Sequence, residues 1–365
     1  MKPCRRWLVL ASEAELQYRV LRCVAELGAE VFVAGPAQAR SLAISRFCAR
    51  YIEFSLDWEI APEKTAVRLD AIARAHGIAL ILPSDAPTTR LLSNIGPMLR
   101  TRVFPVPDPA SFDELATKDR FMQLCRRLSL PHPQGQVFAG RAELLAALEK
   151  GTLRLPAILK PVNSAGSIGV VRIDSANARE IAETIGYAPI LAQDFIEGED
   201  RSLTVFCRQG RVSSEVTYSH PDGVFAFTAE PEFSALVRAL ARRMKLSGVF
   251  NFDARVGRDG KVWLIECNPR FFYNMDVAMV AGLNFARPSA PGQSVQTVRD
   301  VEVCIPPALL RQMLRLRRPR AADLRMLFHW LRDPVMFALV ASGYQRRWFS
   351  RALEMFLVTR KCAAA

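Results

Sequence analysis

Apolar residues come in short blocks over the first hundred positions. Residues 7–11 (WLVLA) are continuously apolar, which suits one buried strand. Leu16, Val20, Cys23, Val24 and Leu27 then recur at helical spacing, and Gly28 follows as a stop. EVFVAGP (30–36) reads as a second strand, residues 63–75 as a helix, and GIALILP (77–83) as a third buried strand leading to Ser84 and Asp85. This alternation predicts a small parallel α/β sheet with helices on both faces. No GxGxxG follows the first strand, which argues against a dinucleotide-binding Rossmann domain.

Pro105, Pro107 and Pro109 mark a boundary, and the pattern changes after them. A helix is predicted over 111–129, ended by PHP, and another over 141–149. LPAILKPV (155–162) and VVRID (170–174) read as strands paired across a glycine-rich turn. A helix near 176–185 precedes a strand in PILAQDFI (189–196). Residues 202–220 form a predicted hairpin turning at Gln209-Gly210. A helix follows over 232–246, then a second hairpin over 248–270 turning at Arg258-Asp259-Gly260. From about 306 the pattern is helical and basic, and no internal repeat is seen.

Composition narrows the class. The chain has 365 residues and is 50% hydrophobic, enough for two or three packed domains. No apolar run reaches membrane-spanning length. The MKPCRR-WLVLA start is too short for a signal peptide, because SEAEL interrupts it, so a cytoplasmic protein is expected. Eight cysteines without a CxxC pair read as small buried hydrophobes rather than disulfide or zinc ligands. The net charge is +13, and residues 311–361 hold eleven arginines and one lysine against three acids, a net of +9.

Four features suggest one nucleotide site. VNSAGSIGVV (162–171) offers Ser164, Gly166, Ser167 and Gly169 as a loop whose N–H groups could fold over phosphates. It lacks the GK[ST] of a Walker loop, and alone it is an ordinary hairpin turn. Lys160 lies inside an apolar strand and should meet an anion, unless it snorkels to water. QDFIEGED (193–200) could present backbone groups to adenine and a carboxylate to ribose; alone it is an acidic turn. Most informative is the last hairpin. Glu266 and Asn268 share a strand face, Asp253 lies across the turn, and Arg270 continues the alternation. Three converging oxygen ligands suit Mg²⁺, and a solvent-facing reading is strained because WLI and Cys267 flank Glu266. His76, His132, His220 and His329 lack ligand spacing and read as structural, with His220 the one to watch.

The order of these pieces resembles the ATP-grasp superfamily, particularly its carbamoyl-phosphate-synthetase-like and carboxylate–amine ligase members. WLIECNPR (263–270) is similar to the family's hydrophobic-Glu-x-Asn-Pro-Arg signature, and ATKDRFMQLCRRLSLPHP (116–133) to its helix with a phosphate-binding lysine. The resemblance covers roughly residues 5–300. It implies an α/β and α+β protein: a Rossmann-like pre-ATP-grasp domain (1–107), a two-part ATP-grasp fold (108–191 and 192–305) and a helical tail (306–365). It implies Lys118 and Lys160 as nucleotide lysines, with Ser164, Gly166, Ser167 and Gly169 over the phosphates. Gln193, Asp194, Phe195 and Ile196 would surround adenine, and Asp200 or Glu199 would meet ribose. Asp253, Glu266 and Asn268 would hold two Mg²⁺ ions, with Mn²⁺ as an alternative. Arg270 and Lys160 would act on the transferring phosphate. Two departures stand out: Gln193-Asp194 replaces a frequent glutamate, and bulky FFYNM (271–275) replaces small residues beside the acceptor pocket.

The implied reaction uses ATP to convert a small carboxylate to an acyl phosphate, which an amine attacks. Two other expectations stand beside it, a phosphotransferase acting without ligation and a non-catalytic nucleotide-binding regulator. The second is disfavoured because all six key site residues are present. No nucleic-acid partner is expected, since only charge points that way. For residues 311–361, arginines interleaved with Trp330, Phe337, Trp348, Phe349 and Phe356 fit two readings. One is a surface for anionic lipid or acidic polymer. The other is an apolar face on the core with arginines in water.

Overall fold

The structure is a computed structural model that describes residues 5–55, 59–163, 168–287 and 294–340. Its N-terminal sheet holds β1 (Arg6–Leu10), β2 (Glu30–Gly35), β3 (Cys48–Glu53) and β4 (Ile78–Leu82) in the order β3-β2-β1-β4, all parallel. The helices α1 (Glu15–Ala25), α2 (Pro62–His76) and α3 (Ala86–Ile95) accompany it. Alternation along β1 divides two cores. Trp7 and Val9 join Val20, Leu21 and Val24 of α1, while Leu8 and Leu10 join Leu69 of α2 and Leu91 of α3. The three apolar blocks predicted as strands are strands. β3 adds a fourth at the sheet edge, where CARYIE stays half-exposed and carries no apolar run. Asp85 caps α3, accepting from the Thr88 N–H at 2.8 Å.

The helix predicted over 111–129 is two helices, α4 (Pro109–Ala116) and α5 (Lys118–Arg127). Thr117 between them is extended (φ −107°, ψ 137°), which moves Lys118 to the first turn of α5. A small antiparallel sheet follows, built from β5 (Gly135–Phe138), β6 (Ala157–Pro161), β7 (Val171–Ile173) and β8 (Ile190–Asp194) in the order β5-β8-β6-β7. The helices α6 (Arg141–Glu149) and α7 (Ala178–Thr184) pack on it through Leu144 and Ala182.

The large sheet contains β9 (Gly198–Arg208), β10 (Arg211–Ser219), β11 (Val224–Thr228), β12 (Gly248–Gly257), β13 (Val262–Asn268), β14 (Gln296–Thr297) and β15 (Val301–Cys304). Its order is β13-β12-β9-β10-β11-β15, with β14 joining β10. Both predicted hairpins form, as β9–β10 and β12–β13. One face is apolar: Leu203, Val205, Phe250 and Phe252 pack on Phe121 of α5 and on Phe233 and Val237 of α8 (Pro231–Arg243). The other face is apolar where Phe206, Val216, Phe225, Phe227 and Val249 join the core that also holds Trp7, and polar around Ser202, Thr204, Asn251 and Asp253, where the candidate site lies.

After β13 come α9 (Met275–Ala281), α10 (Pro306–Leu314) and α11 (Ala321–Leu331). Ala322, Met326 and Trp330 of α11 enter the core that holds Trp7 and Phe272. One apolar stripe of α11 is thus packed inside, as one reading of the tail expected, while Leu324, Phe328 and Leu331 stay exposed; Trp348, Phe349 and Phe356 lie outside the described residues. No described helix is long and apolar enough to cross a membrane. All six described cysteines are free thiols and five are buried, in line with their reading as small hydrophobes.

Candidate active site

The register of the large sheet assembles the site. Asp253 on β12 stands opposite Glu266 on β13 and Ser202 on β9, and Asn251 stands opposite Asn268 and Thr204. Opposite partners share a face, and every second residue returns to it. Ser202 donates to Asp253 Oδ1 at 2.6 Å and the Asn251 amide donates to the same oxygen at 3.1 Å. Thr204 and the Tyr218 hydroxyl donate to Asn251 Oδ1 at 2.8 and 3.1 Å, which fixes the orientation of that amide. Sequence reasoning missed Ser202, Thr204, Tyr218 and Asn251. The available signal was polar residues at a spacing of two, Ser202/Thr204 and Asn251/Asp253, alternating with Leu203, Val205 and Phe252.

Two carboxylates and three cations meet here. Lys118 Nζ, at the start of α5, lies 3.4 Å from Glu266 Oε2. Lys160 on β6 is only 4% exposed, so it does not snorkel to water. Burial pushes its pKa down to about 8; Glu266 and Asp253 draw it up, and Lys118 opposes them. Burial likewise lowers Arg270, against the pull of Asp85, Asp253 and Glu266. Arg270 donates to Asn268 Oδ1 at 3.1 Å and to the Phe271 carbonyl at 2.9 Å. Asp253 is pushed up to about 7, first by burial and then by the facing Glu266.

The donor set fits magnesium. Asp253, Glu266 and Asn268 are hard oxygen donors, and a cation between the carboxylates would offset both the burial and the repulsion from Glu266 that raise Asp253. Among the described residues no group of three or more His, Cys, Asp and Glu side chains gathers. Mg²⁺ suits such a site because it completes its shell with phosphate oxygens and water.

Residues 193–197, the hinge from the end of β8 to β9, carry the segment expected beside adenine. Phe195 N–H donates to the Pro156 carbonyl at 3.0 Å and Asp194 N–H to the Gln134 carbonyl at 2.8 Å. The Ile196 carbonyl accepts from Arg255 Nε at 3.0 Å, and Gln193 Nε2 reaches the Pro133 carbonyl at 3.4 Å. These backbone groups therefore brace the hinge itself, which narrows what it can offer a base. The two candidate ribose acids part company. Asp200 lies opposite Arg255, in alternation with Ser202 and Thr204, and pairs with Arg255 at 2.6 Å. Glu199 belongs to the other face and pairs with Arg201 at 2.6 Å. Gly169 ends the glycine loop with φ +73°, and its carbonyl accepts from the Tyr187 hydroxyl at 2.7 Å. Ser164, Gly166 and Ser167 lie outside the described residues. The His220 ring is tilted against Tyr218, with ring centroids 6.0 Å apart, and lies 5.3 Å from the Phe225 ring.

Two family models match this part of the chain. Residues 116–220 match the model described as "ATP-grasp domain", and residues 187–310 match "ATP-grasp in the biosynthetic pathway with Ter operon". The chain belongs to the ATP-grasp superfamily. It is similar to the arginine-specific large chain of carbamoyl phosphate synthase from Geobacillus stearothermophilus, with 27% identity over 175 residues, 43% of this chain and 16% of that one. It is similar to D-alanine–D-alanine ligase from Pseudomonas fluorescens, with 24% identity over 180 residues, 43% of this chain and 53% of that one. It thus spans about half or less of these curated relatives. In fold it is similar to carboxyaminoimidazole ribonucleotide synthase from Aspergillus clavatus solved with ATP. That likeness has a TM-score of 0.60 and 16% identity, and covers 82% of this chain and 81% of that one.

In this ATP-grasp chain Asp85, just after β4 of the N-terminal sheet, acts on Arg270 by its charge. The carboxyl ends of parallel strands are where such sheets bind ligands. There Asp85 accepts from Ser12 N–H and Oγ at 3.1 and 2.6 Å and from the Gln17 amide, which leaves Gln17 Oε1 buried without a partner. Tyr273, in the bulky FFYNM segment, donates to Glu15 at 2.5 Å and lies under Arg19, 4.3 Å from ring centroid to guanidinium.

Proposed function

We propose that this chain is an ATP-dependent carboxylate–amine ligase that activates its acid as an acyl phosphate. The observation that carries this reading is that Lys118 of α5, Lys160 of β6 and Arg270 come close to the facing carboxylates Asp253 and Glu266. The similarity to a D-alanine–D-alanine ligase supports it.

Lys118 and Lys160 bind phosphate oxygens of ATP, which give the buried Lys160 ammonium further negative charge beside Glu266 and Asp253. Gln193, Asp194, Phe195 and Ile196 flank adenine, and Asp200 faces ribose. Glycine-loop residues 164–169 cover the phosphates. Asp253, Glu266 and Asn268 would hold the magnesium, whose charge offsets that of the phosphate oxygens. A carboxylate oxygen of the acid attacks the γ-phosphorus, the bond to the bridging oxygen breaks, and ADP leaves. The amine then attacks the acyl carbon, the carbon–oxygen bond to phosphate breaks, and the amine proton passes to water. Arg270 faces both developing negative charges from beside Asn268. Exclusion of water matters because water would hydrolyse the acyl phosphate. The acid and amine enter between Arg270 and the Ser12–Asp85 edge of the N-terminal sheet.

The test is incubation with Mg-ATP, hydroxylamine and a pooled library of carboxylic acids, read by mass. A hydroxamate with matching ADP is expected, and it names the acid. ADP without hydroxamate would shift the assignment to a phosphotransferase. Neither product would overturn catalysis by the isolated chain.

A further inference from the structure

We infer that the outward face of the C-terminal helices docks this protein on an anionic lipid bilayer. The inference rests on where exposed apolar residues fall. Of the 17 large hydrophobic residues exposed among the described residues, nine lie within 306–340. Exposed leucines scattered singly are ordinary, whereas a concentration of this kind is not.

Their spacing is regular. On α10, Leu310, Met313 and Leu314 stand at i, i+3 and i+4, opposite buried Ala308, and Leu316 beyond the helix is 93% exposed. On α11, Leu324, Phe328 and Leu331 stand at i, i+4 and i+7, with Phe328 66% exposed, while Met326 and Trp330 fill the inner face. In the helical residues 334–340, Val335 and Leu339 repeat the pattern. Each helix therefore has an apolar stripe on the core and a second one toward solvent. A water-facing helix would place polar residues there.

The accompanying charge is of one sign. Arg315, Arg317, Arg318 and Arg325 are exposed among these apolar residues. The two acids of 306–340, Asp323 and Asp333, are both buried. Asp323 is used by the Cys304 N–H at 2.7 Å and by Arg320, and Asp333 by the Ser45 hydroxyl. Apolar side chains set among arginines without an exposed acid are the signature of a helix lying in a bilayer interface. A second copy fits poorly, because a two-fold contact would set the basic patch against itself. A cavity of about 780 Å³ opens beside Phe328, lined by Arg287, Arg325 and Arg332, by Glu26, which pairs with Arg332, and by apolar Met279 and Leu283, so that the cations outnumber the one acid. A concave site with cationic and apolar walls suits an anionic headgroup with its first methylenes. That favours lipid over a flat acidic protein surface.

The test is cosedimentation of the full chain with vesicles of phosphatidylcholine, with and without phosphatidylglycerol. Binding is expected only with phosphatidylglycerol, and it weakens with salt. Arg315→Gln, Arg317→Gln and Arg318→Gln should each weaken it about fivefold. Leu310→Glu with Leu314→Glu should abolish it without lowering the thermal midpoint, since both side chains are exposed. Failure to bind phosphatidylglycerol vesicles, or binding that survives both sets of changes, would overturn the inference. So would a dimer that the leucine variant dissolves, which assigns the face to a second copy. A leucine variant with a lowered midpoint and unchanged arginine dependence on lipid would show that the chain itself covers the face, and would overturn it too.

Discussion

Asp253 and Glu266 face each other across β12 and β13, two carboxylates on one partly buried sheet face. Burial and Glu266 together raise Asp253 to about 7. The folded chain therefore binds a proton between pH 4 and 7 that the unfolded chain does not, and stability falls as pH rises through that window. Asp253→Asn removes this cost and keeps an acceptor for Ser202. The thermal midpoint without nucleotide should rise by about 2 °C or more above pH 7, with the gain vanishing near pH 4. Magnesium affinity should drop by more than about 10-fold. Thermal scans across pH with and without Mg-ATP check both outcomes, and a lowered midpoint at neutral pH would contradict the first.

Lys160 makes the same trade with opposite charge. Its pKa is down at about 8 because burial disfavours the ammonium. Below pH 8 it is protonated in both folded and unfolded chains, and the folded chain carries the full cost. Between 8 and the ordinary lysine value of 10.5 only the unfolded chain keeps the proton, so stability rises with pH. Lys160→Met should therefore be more stable than the parent at pH 7, with the gap closing toward pH 10.5. The same variant should lose the thermal shift that ATP gives the parent. A midpoint difference that does not change with pH would show that packing, not charge, sets it.

Much of this site is legible in the sequence, and the reasons are local. Glu266, Asn268 and Asp253 share a short hairpin, so a spacing of two and a tight turn suffice to bring them together. Lys160 is legible because an ammonium inside an apolar strand must reach either an anion or water. What is not legible depends on long-range register. Ser202, Thr204 and Tyr218 reach the site through pairing of β9 with β12 and with β10, which no local spacing encodes. The break at Thr117 is hidden because ELATKDRF keeps helical periodicity through it. The edge strand β3 and short β15 lack the apolar runs that mark buried strands.

Gly169 anchors the exit of the glycine loop. An added Cβ would meet Pro161 and Tyr187 at 3.0 Å each, and φ is +73°, so Gly169→Ala is strained twice over. The Tyr187 hydroxyl holds the Gly169 carbonyl at 2.7 Å. Tyr187→Phe removes that bond, worth about 1 kcal/mol, and should raise the ATP KM about fivefold with little change in thermal midpoint. Under the ligase reading it should also raise ADP formation relative to amide product, because a looser loop admits water. Unchanged coupling and KM would show that the anchor has no part in closure.

Arg19 and Asp276 join α1 to α9, with one guanidinium nitrogen 2.8 and 3.0 Å from the two carboxylate oxygens. Side-chain exposure is 8% and 1%, so water screens little of the attraction. Burial alone would raise the Asp276 pKa, yet Arg19 more than offsets it and holds the carboxyl below its usual range. Asp276→Asn leaves Arg19 buried and unpaired, which costs about 3–5 kcal/mol, whereas Arg19→Met with Asp276→Leu replaces the pair by apolar volume and should recover most of it. The pair also fixes the 271–275 segment, because Asp276 follows it directly and Arg19 covers the Tyr273 ring. The double variant should then keep ATP affinity, set by Lys118 and Lys160 on other elements, while KM for the acid or amine rises. Urea unfolding gives the first comparison, and ATP titration beside substrate kinetics gives the second. If ATP affinity falls as far as substrate KM rises, the pair braces the whole fold and not the acceptor side of the site.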